Sequence, residues 1–413
     1  MRSLYTITIR LYYFSILIAS LFNKKAKQWI AGRKNIFEQI ELDLRKNPRA
    51  PGSKLFWFHC ASLGEFEQGR PLIEKIKKEI PNVKIVLTFF SPSGYEVRKN
   101  YELADHVFYL PVDTPDNAEN FIQLIDPSVA IFIKYEFWYN YLNELQTRNI
   151  PLYLVSGVFR KDQVFFGMGG KWFSKQLKAF THFFVQDEHS EKLLKGMGFN
   201  NASISGDTRF DRVSEIVKQD KRFPLVEKFK GDSEILVVGS SWEEDEKILA
   251  SCSSLLANFK YIIVPHEIDE AHLKNTERLL KNLKCIRYSK ASEETISNSD
   301  VLIIDNIGML ASLYRFGEIA YVGGGFGEGI HSILEAAAYG MPVIFGPRHE
   351  KFNEANELIE QGGGFCVNDV NELKNTLSFL NNDPLIIKMA SMISKNYVLS
   401  KTGATDRIFS VIS

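Results

Sequence analysis

Residues 321–347 read YVGGGFGEGIHSILEAAAYGMPVIFGP. An apolar strand, Ile319 to Val322, runs into a glycine run: Gly323, Gly324, Gly325, then Gly327 and Gly329. A helix is expected from about Ser332 to Tyr339, closed by Gly340, and a second strand from Val343 to Phe345. Strand, glycine turn, helix, strand is the unit of an α/β fold with a parallel sheet. Glycines let a backbone turn tightly and approach a ligand closely. A helix N-terminus behind them offers N–H groups and partial positive charge to an anion. Glu335, in the first turn, is placed to accept hydrogen bonds from a ribose. The stretch reads as a nucleotide site, or as a glycine-rich turn of an ordinary α/β domain; glycine runs alone do not separate the two.

The 413 residues exceed what one core usually serves, so two domains are expected. Acidic and basic residues balance at 50 each, and this gives no sign of a nucleic-acid partner. The four cysteines (60, 252, 285, 366) are scattered, which speaks against a zinc site or a disulfide framework and fits a reducing compartment.

Outward from the glycine stretch, short apolar runs alternate with amphipathic segments. In the first half the runs start at Leu55, Lys84, Val107, Val129, Leu152, Phe183 and Ala202. In the second they start at Ile235, Tyr261, Cys285, Val301, Ile319, Val343 and Phe365. The alternation pauses at 211–232, so the expectation is two Rossmann-like domains, 35–220 and 221–413, with the last helical stretch crossing back to the first domain. Ahead of them, residues 4–22 are apolar apart from Arg10 and a few hydroxyls, and Lys24, Lys25, Lys27, Arg33 and Lys34 follow. Residues 1–34 are read as a membrane anchor with a basic flank, spanning or lying in the interface, the body remaining cytoplasmic; the other reading is a buried N-terminal helix.

In open α/β sheets ligands sit beyond the carboxyl ends of strands, which selects the candidate residues. The run after Leu55 leads into Ser62, Gly64 and Glu65, with a helix expected from near Gln68. Glu65 is either a site carboxylate or a favourable acid at a helix start. Glu136 follows the run at Val129, and is either a site residue or a solvated loop acid. Arg209 follows Ala202–Ile204, to stabilise an anion or to pair with a neighbouring acid. In the second domain the loops carry 237–246 (VVGSSWEEDE), Pro265-His266 and Asp305 to Met309. Their convergence with the glycine stretch on one sheet edge strengthens the nucleotide reading.

Taken together, these motifs resemble the family of 3-deoxy-D-manno-oct-2-ulosonic acid (Kdo) transferases. HCASLGEFEQGRPLI (59–73) is similar to its H-x-x-S-x-G-E signature, KYEFWYN (134–140) to E-x-W-P-N, and ISGDTRFD (204–211) to G-N-x-K-F-D. DNIGML (305–310) is similar to D-x-x-G-E-L, and HSILEAAAYGMPVIFGP (331–347) to H-N-x-L-E-A-A with Pro-Val and Gly-Pro. The resemblance implies a glycosyltransferase-B fold of two Rossmann-like domains facing a cleft, and inverting transfer of Kdo from CMP-Kdo to a lipid A precursor. The setting it implies is the cytoplasmic face of the inner membrane, without metal or cofactor. It implies Glu65 as general base, with Glu136 and Arg209 supporting the transition state. Pro265, His266, Ile307, Gly308, Met309, Ser332, Ile333, Leu334 and Glu335 would hold CMP, beside Gly324 and Gly325 of the glycine run.

Five positions depart from the family pattern: His266 replaces arginine, Met309 glutamate, Ser332 asparagine, Tyr139 proline and Arg209 lysine. A methionine side chain cannot accept a nucleoside hydrogen bond as glutamate can, and a histidine titrates where an arginine does not. A glycosyltransferase-B enzyme using another nucleotide sugar on a membrane lipid is the alternative reading. A dinucleotide-dependent oxidoreductase fits poorly, because no G-x-G-x-x-G opens either domain.

Overall fold

The computed structural model describes residues 2–167, 170–252 and 259–413. The chain forms two compact units, Met1–Arg212 with Thr402–Ser413, and Val213–Lys401. The first holds a parallel sheet of β1 (Leu55–Cys60), β2 (Lys84–Phe89), β3 (His106–Tyr109), β4 (Val129–Ile133), β5 (Leu152–Gly157), β6 (His182–Val185) and β7 (Ala202–Ile204), in the order β3-β2-β1-β4-β5-β6-β7. The second holds β8 (Glu234–Ser241), β9 (Phe259–Pro265), β10 (Cys285–Arg287), β11 (Val301–Ile303), β12 (Ile319–Val322), β13 (Val343–Phe345) and β14 (Gly364–Cys366), in the order β10-β11-β9-β8-β12-β13-β14.

The apolar runs explain the sheets. A parallel strand covered by helices on both faces is buried throughout and reads as continuous hydrophobics rather than as an alternation. Strands β1 and β4 are buried at every position. One face of the first sheet packs Trp57, Phe121, Phe132 and Tyr141, with ring centroids 5.1–5.9 Å apart. The other packs Phe56, Phe58, Leu72, Ile73 and Ile76. In each sheet the first strand lies inside; the order runs outward both ways in the first sheet, and in the second except that β11 lies between β9 and the edge strand β10. The direction reverses between β1 and β4, and between β8 and β12. Such reversal points leave a crevice above the strand ends, where α/β proteins bind ligands.

Two helix boundaries differ from the sequence expectation. The helix after β1 spans Leu63–Glu79, so Gly64 and Glu65 lie in its first turn rather than before it. The helix of the glycine stretch is shorter than expected, Leu334–Ala338.

At the N-terminus, helix Arg2–Ala19 has no buried residue. It rests on the first unit through tyrosines. Tyr5 donates to Asp113 at 2.6 Å, and Tyr12 and Tyr13 meet Trp29 at 6.4 and 5.9 Å between ring centroids. Its other face exposes Leu4, Ile7, Leu11, Phe14 and Ile18 at helical spacing, and Leu21 and Phe22 continue the stripe. Among the described residues no helix is long and apolar enough to cross a membrane.

The C-terminal helix, Ala404–Ile412, buries Ile408 and Ile412 in the first unit's core. Its N-cap, Gly403, has no side chain to satisfy the first amides. Asp211 does so from a distance in sequence, accepting from Gly403 N at 2.5 Å, Thr405 N at 2.7 Å and Thr405 Oγ1 at 2.7 Å. Removing a cap and leaving its amides unmet costs on the order of 2 kcal/mol. Asp211→Ala therefore lowers the first unit's stability by about that amount and frees residues 402–413 to exchange amide hydrogens early, read by urea unfolding and hydrogen exchange. An unchanged midpoint contradicts the capping role.

Candidate active site

The reversal point of the first sheet gathers two carboxylates. Glu65, half-buried, lies in the first turn of Leu63–Glu79 at the carboxyl end of β1, and Ser62 Oγ donates to its carboxylate. Glu136 follows β4. It is only 7% exposed, so it is not a solvated loop acid. His59 Nε2 lies 3.0 Å from its Oε2, and Trp138 Nε1 2.5 Å from the same oxygen. The network continues on the other side of the ring. Trp57 Nε1 donates to Thr88 Oγ1 at 2.8 Å, and Thr88 Oγ1 lies 2.9 Å from His59 Nδ1. An ionised carboxylate only accepts, so Nε2–H and Trp138 N–H both donate to Glu136, while Thr88 Oγ1, which accepts from Trp57 and can donate to Phe58 O at 3.2 Å, faces Nδ1. Burial pushes the Cys60 thiol up, and Glu65 and Glu136 push it further, which puts both carboxylates within electrostatic reach of one sulfur.

Arg209 joins this neighbourhood from helix Thr208–Lys218. Its guanidinium pairs with buried Asp207, through Nε at 2.8 Å and Nη2 at 2.7 Å. One residue earlier, Thr208 Oγ1 donates to the carbonyl of Gln68 at 2.5 Å, one turn along the helix from Glu65. The backbone is held in costly conformations nearby. Lys134 (φ 69°) ends β4 and Ser156 (φ 56°) lies near the end of β5, both left-handed without being glycine. Strain of this kind persists only where the surroundings impose it, and it collects at functional sites.

The second sheet repeats the arrangement. At its reversal point Asp245, buried, accepts from Tyr321 OH at 2.8 Å, Gly324 N at 2.9 Å and Trp242 N at 3.0 Å, joining the end of β8 to the glycine loop after β12. Gly324 needs its glycine at φ 92°. A side chain on Gly325 would meet the Gly346 backbone at 2.6 Å, so here two loops touch main chain to main chain. The carboxyl ends of β11, β9, β8 and β12 adjoin. They carry Ile307-Gly308-Met309, Pro265-His266, Trp242 and Gly324-Gly325 in that order. Ile307 stands 93% exposed and Gly308 is left-handed at φ 90°. Ile333 and Leu334 are buried, and Ser332 is exposed. Glu335 is close enough to help raise the buried Tyr314 hydroxyl, after burial itself.

Sequence reasoning named His266 here but missed its two ring partners, Trp242 and His331. Trp242 Nε1 donates to His331 Nε2 at 3.1 Å, with the two rings 12° from coplanar. His266 stacks on both, 4.7 Å from Trp242 and 4.3 Å from His331. It missed His59 too, although a histidine inside an apolar strand signals a buried polar partner. Burial, then the neighbouring His266, push His331 down to about 4. An unfolded histidine titrates near 6.5. Between those values the unfolded chain binds more protons, so acid lowers stability as pH falls from about 6.5 to about 4. His331→Gln removes this part of the slope. Its urea midpoint should fall less steeply than the parent's across that window, and equal slopes contradict the assignment.

Comparison with known proteins agrees with this geometry. Residues 34–212 match the family described as "3-Deoxy-D-manno-octulosonic-acid transferase (kdotransferase)". The chain is 29% identical to the 3-deoxy-D-manno-octulosonic acid transferase of Chlamydophila psittaci, over 82% of this chain and 80% of that protein. Among solved structures, UDP-GlcNAc 2-epimerase from Neisseria meningitidis superposes with a TM-score of 0.62 at 13% identity, covering 87% of this chain and 99% of that one. A glycosyltransferase from Rickettsia africae superposes at 0.57 and 13%, covering 87% and 98%. These likenesses show a fold of the glycosyltransferase-B kind, with two Rossmann-like units. The chain therefore carries a Kdo transferase family domain over residues 34–212 and is a glycosyltransferase, similar to Kdo transferases along most of its length.

Proposed function

We propose that this glycosyltransferase transfers Kdo from CMP-Kdo to a lipid A precursor (lipid IVA) with inversion at the anomeric carbon, Glu65 acting as general base. The observation that carries the reading is the pair Glu65 and Glu136 at the reversal point of the first sheet, one half-buried and one held by two N–H donors. Similarity to Kdo transferases supports the choice of sugar.

A sugar nucleotide brings its own leaving group, so little covalent chemistry falls to the protein. Glu65 takes the proton of the acceptor hydroxyl. The oxygen attacks the anomeric carbon from the face opposite the phosphate, and the bond to phosphate breaks with its electron pair, releasing CMP. Fixed N–H groups and cations stabilise the charge that develops. Glu136, oriented by His59 and Trp138, and Arg209, set by Asp207, line the reacting centre. On the second unit the donor lies along the ends of β9, β11 and β12. It meets Pro265, His266, Ile307, Gly308 and Met309, then Gly324, Gly325 and Ser332 to Glu335. Met309 holds the nucleoside through its backbone, and His266 stands where the family pattern has arginine.

The enzyme works at the cytoplasmic face of the inner membrane. Helix Arg2–Ala19 lies in the interface with its apolar stripe in the lipid, and the basic residues from Lys24 to Lys34 face anionic headgroups.

Two experiments test this. Glu65→Gln lowers turnover with CMP-Kdo and lipid acceptor by about 10²–10⁴-fold, while calorimetry finds CMP binding intact. Parent-like turnover removes Glu65 from the base role. Replacing Leu11 and Phe14 by glutamate strips two side chains from the apolar stripe. Co-sedimentation with anionic vesicles should drop at least about tenfold, while turnover on detergent-dispersed acceptor stays near the parent's. Undiminished co-sedimentation refutes the interfacial helix.

A further inference from the structure

Helix Pro384–Ser400 of the second unit has two faces of different character. Asp383 starts it, accepting from Leu385 N at 2.8 Å. Its inner face buries Ala390, Ser394, Tyr397 and Val398. Small residues at 390 and 394 let the helix come close to the glycine turns beside it. A side chain on Gly340 would meet Ser391 O at 3.3 Å, and one on Gly363 would meet Ser394 Oγ at 2.7 Å. Tyr397 OH donates to Glu357 at 2.9 Å, and Lys401 pairs with the same carboxylate. The inner face alone therefore fixes the helix to its unit.

The outer face is apolar where a solvated helix would be polar. Leu385, Met389, Met392 and Leu399 are each at least half exposed. They follow one another at alternating steps of four and three residues, with Asn396 in the remaining place, so they form one stripe along the helix. Lys388 and Lys395, both exposed, run along one flank of that stripe. Neither has a carboxylate partner among the described residues. From Pro384 to Lys401 the sequence holds three lysines and no acid. A single exposed apolar side chain needs no explanation, whereas an aligned set marks a surface that is covered in use.

Charge and size decide what covers it. The 17 residues of the helix span about 25 Å, and a strip about 10 Å wide along them offers roughly 250 Å². Two copies face to face would bury about 500 Å², half of the roughly 1,000 Å² that a specific protein interface needs. Antiparallel pairing of two copies would also set one lysine flank against the other. A bilayer asks for no matched surface. Leucine and methionine side chains enter the acyl boundary, and lysines on the flank reach anionic headgroups while their stems stay in contact with the stripe. We propose that the outer face of helix Pro384–Ser400 docks on an anionic lipid bilayer, a membrane contact that belongs to the second unit and is separate from helix Arg2–Ala19. What it recognises is the surface, acyl chains beneath anionic headgroups, and no single lipid. The inference goes beyond the proposed reaction and does not depend on which sugar is transferred.

The test is co-sedimentation of the full chain with vesicles of phosphatidylglycerol mixed with phosphatidylcholine, and of phosphatidylcholine alone. One variant carries Met389→Glu with Met392→Glu, which breaks the stripe. A second carries Lys388→Glu with Lys395→Glu, which reverses its flank. A third carries Leu11→Glu with Phe14→Glu, which alters the N-terminal helix alone. Every substituted position is exposed, and the urea midpoint reports that each variant folds. The methionine pair should weaken binding to the mixed vesicles at least about tenfold. The lysine pair should weaken it about tenfold or more, each lysine near the surface being worth about a factor of five, and should leave binding to phosphatidylcholine alone unchanged. Binding unaltered by the methionine pair overturns the proposal, and so does a lysine effect of equal size on both kinds of vesicle. Light scattering that finds a dimer in the parent, split by the methionine pair, gives this face to a second copy of the chain and overturns the proposal equally. Loss with the methionine pair and none with Leu11→Glu and Phe14→Glu leaves this surface standing and refutes the interfacial N-terminal helix instead.

Discussion

A parallel strand buried on both faces has room for polar side chains only at its ends, unless a buried partner meets them. That constraint organises both units. It drives the reactive groups to the carboxyl edges, and the reversal of strand order between β1 and β4, and between β8 and β12, opens those edges to a ligand. His59 is the exception inside a strand, and its partners Thr88 and Glu136 explain why it is tolerated. The same contact turns Glu136 from a loop acid into a fixed one. Two tryptophans and a threonine complete a network in which each donor has an assigned acceptor, the condition under which buried polar groups specify one geometry.

The second unit uses a parallel device with different chemistry. Asp245 ties the end of β8 to the glycine loop, where the first unit ties β1 to β4 through His59 and Glu136. Its lip mixes rigid and open features. Gly325 and Gly346 touch backbone to backbone, whereas Ile307 and Gly308 stand clear of the fold. The side chains that depart from the family pattern, His266 and Met309, belong to this lip rather than to the sheet beneath it.

Much of the fold was legible in the sequence because buried parallel strands announce themselves. All fourteen apolar runs are strands, with ends displaced by a few residues. The helix after β1 was placed too late because Ser62 and Gly64 look like turn residues, yet a glycine in a first helical turn costs little when the N-cap precedes it. Glu65 was legible from its place after a strand. The burial of Glu136 was not, because its N–H donors come from residues 59 and 138 and meet only in the folded sheet. The pairing of Trp242 with His331 spans 89 positions. The cap that Asp211 provides to a helix starting at Ala404 has no local signal either. Periodicity reports which residues are buried, and it is silent on which polar groups find each other.

The central claim is that a carboxylate at the first reversal point deprotonates a glycolipid hydroxyl while CMP departs from the opposite face of a Kdo residue. The most direct measurement is nuclear magnetic resonance of the product made from CMP-Kdo and a diphosphorylated tetraacyl glucosamine disaccharide. The account predicts a glycolipid bearing Kdo with the anomeric configuration inverted relative to the donor. A product with retained configuration would require a covalent intermediate and contradict a single displacement with Glu65 as base. Glycolipid recovered without Kdo, from enzyme that turns over another nucleotide sugar, would contradict the donor.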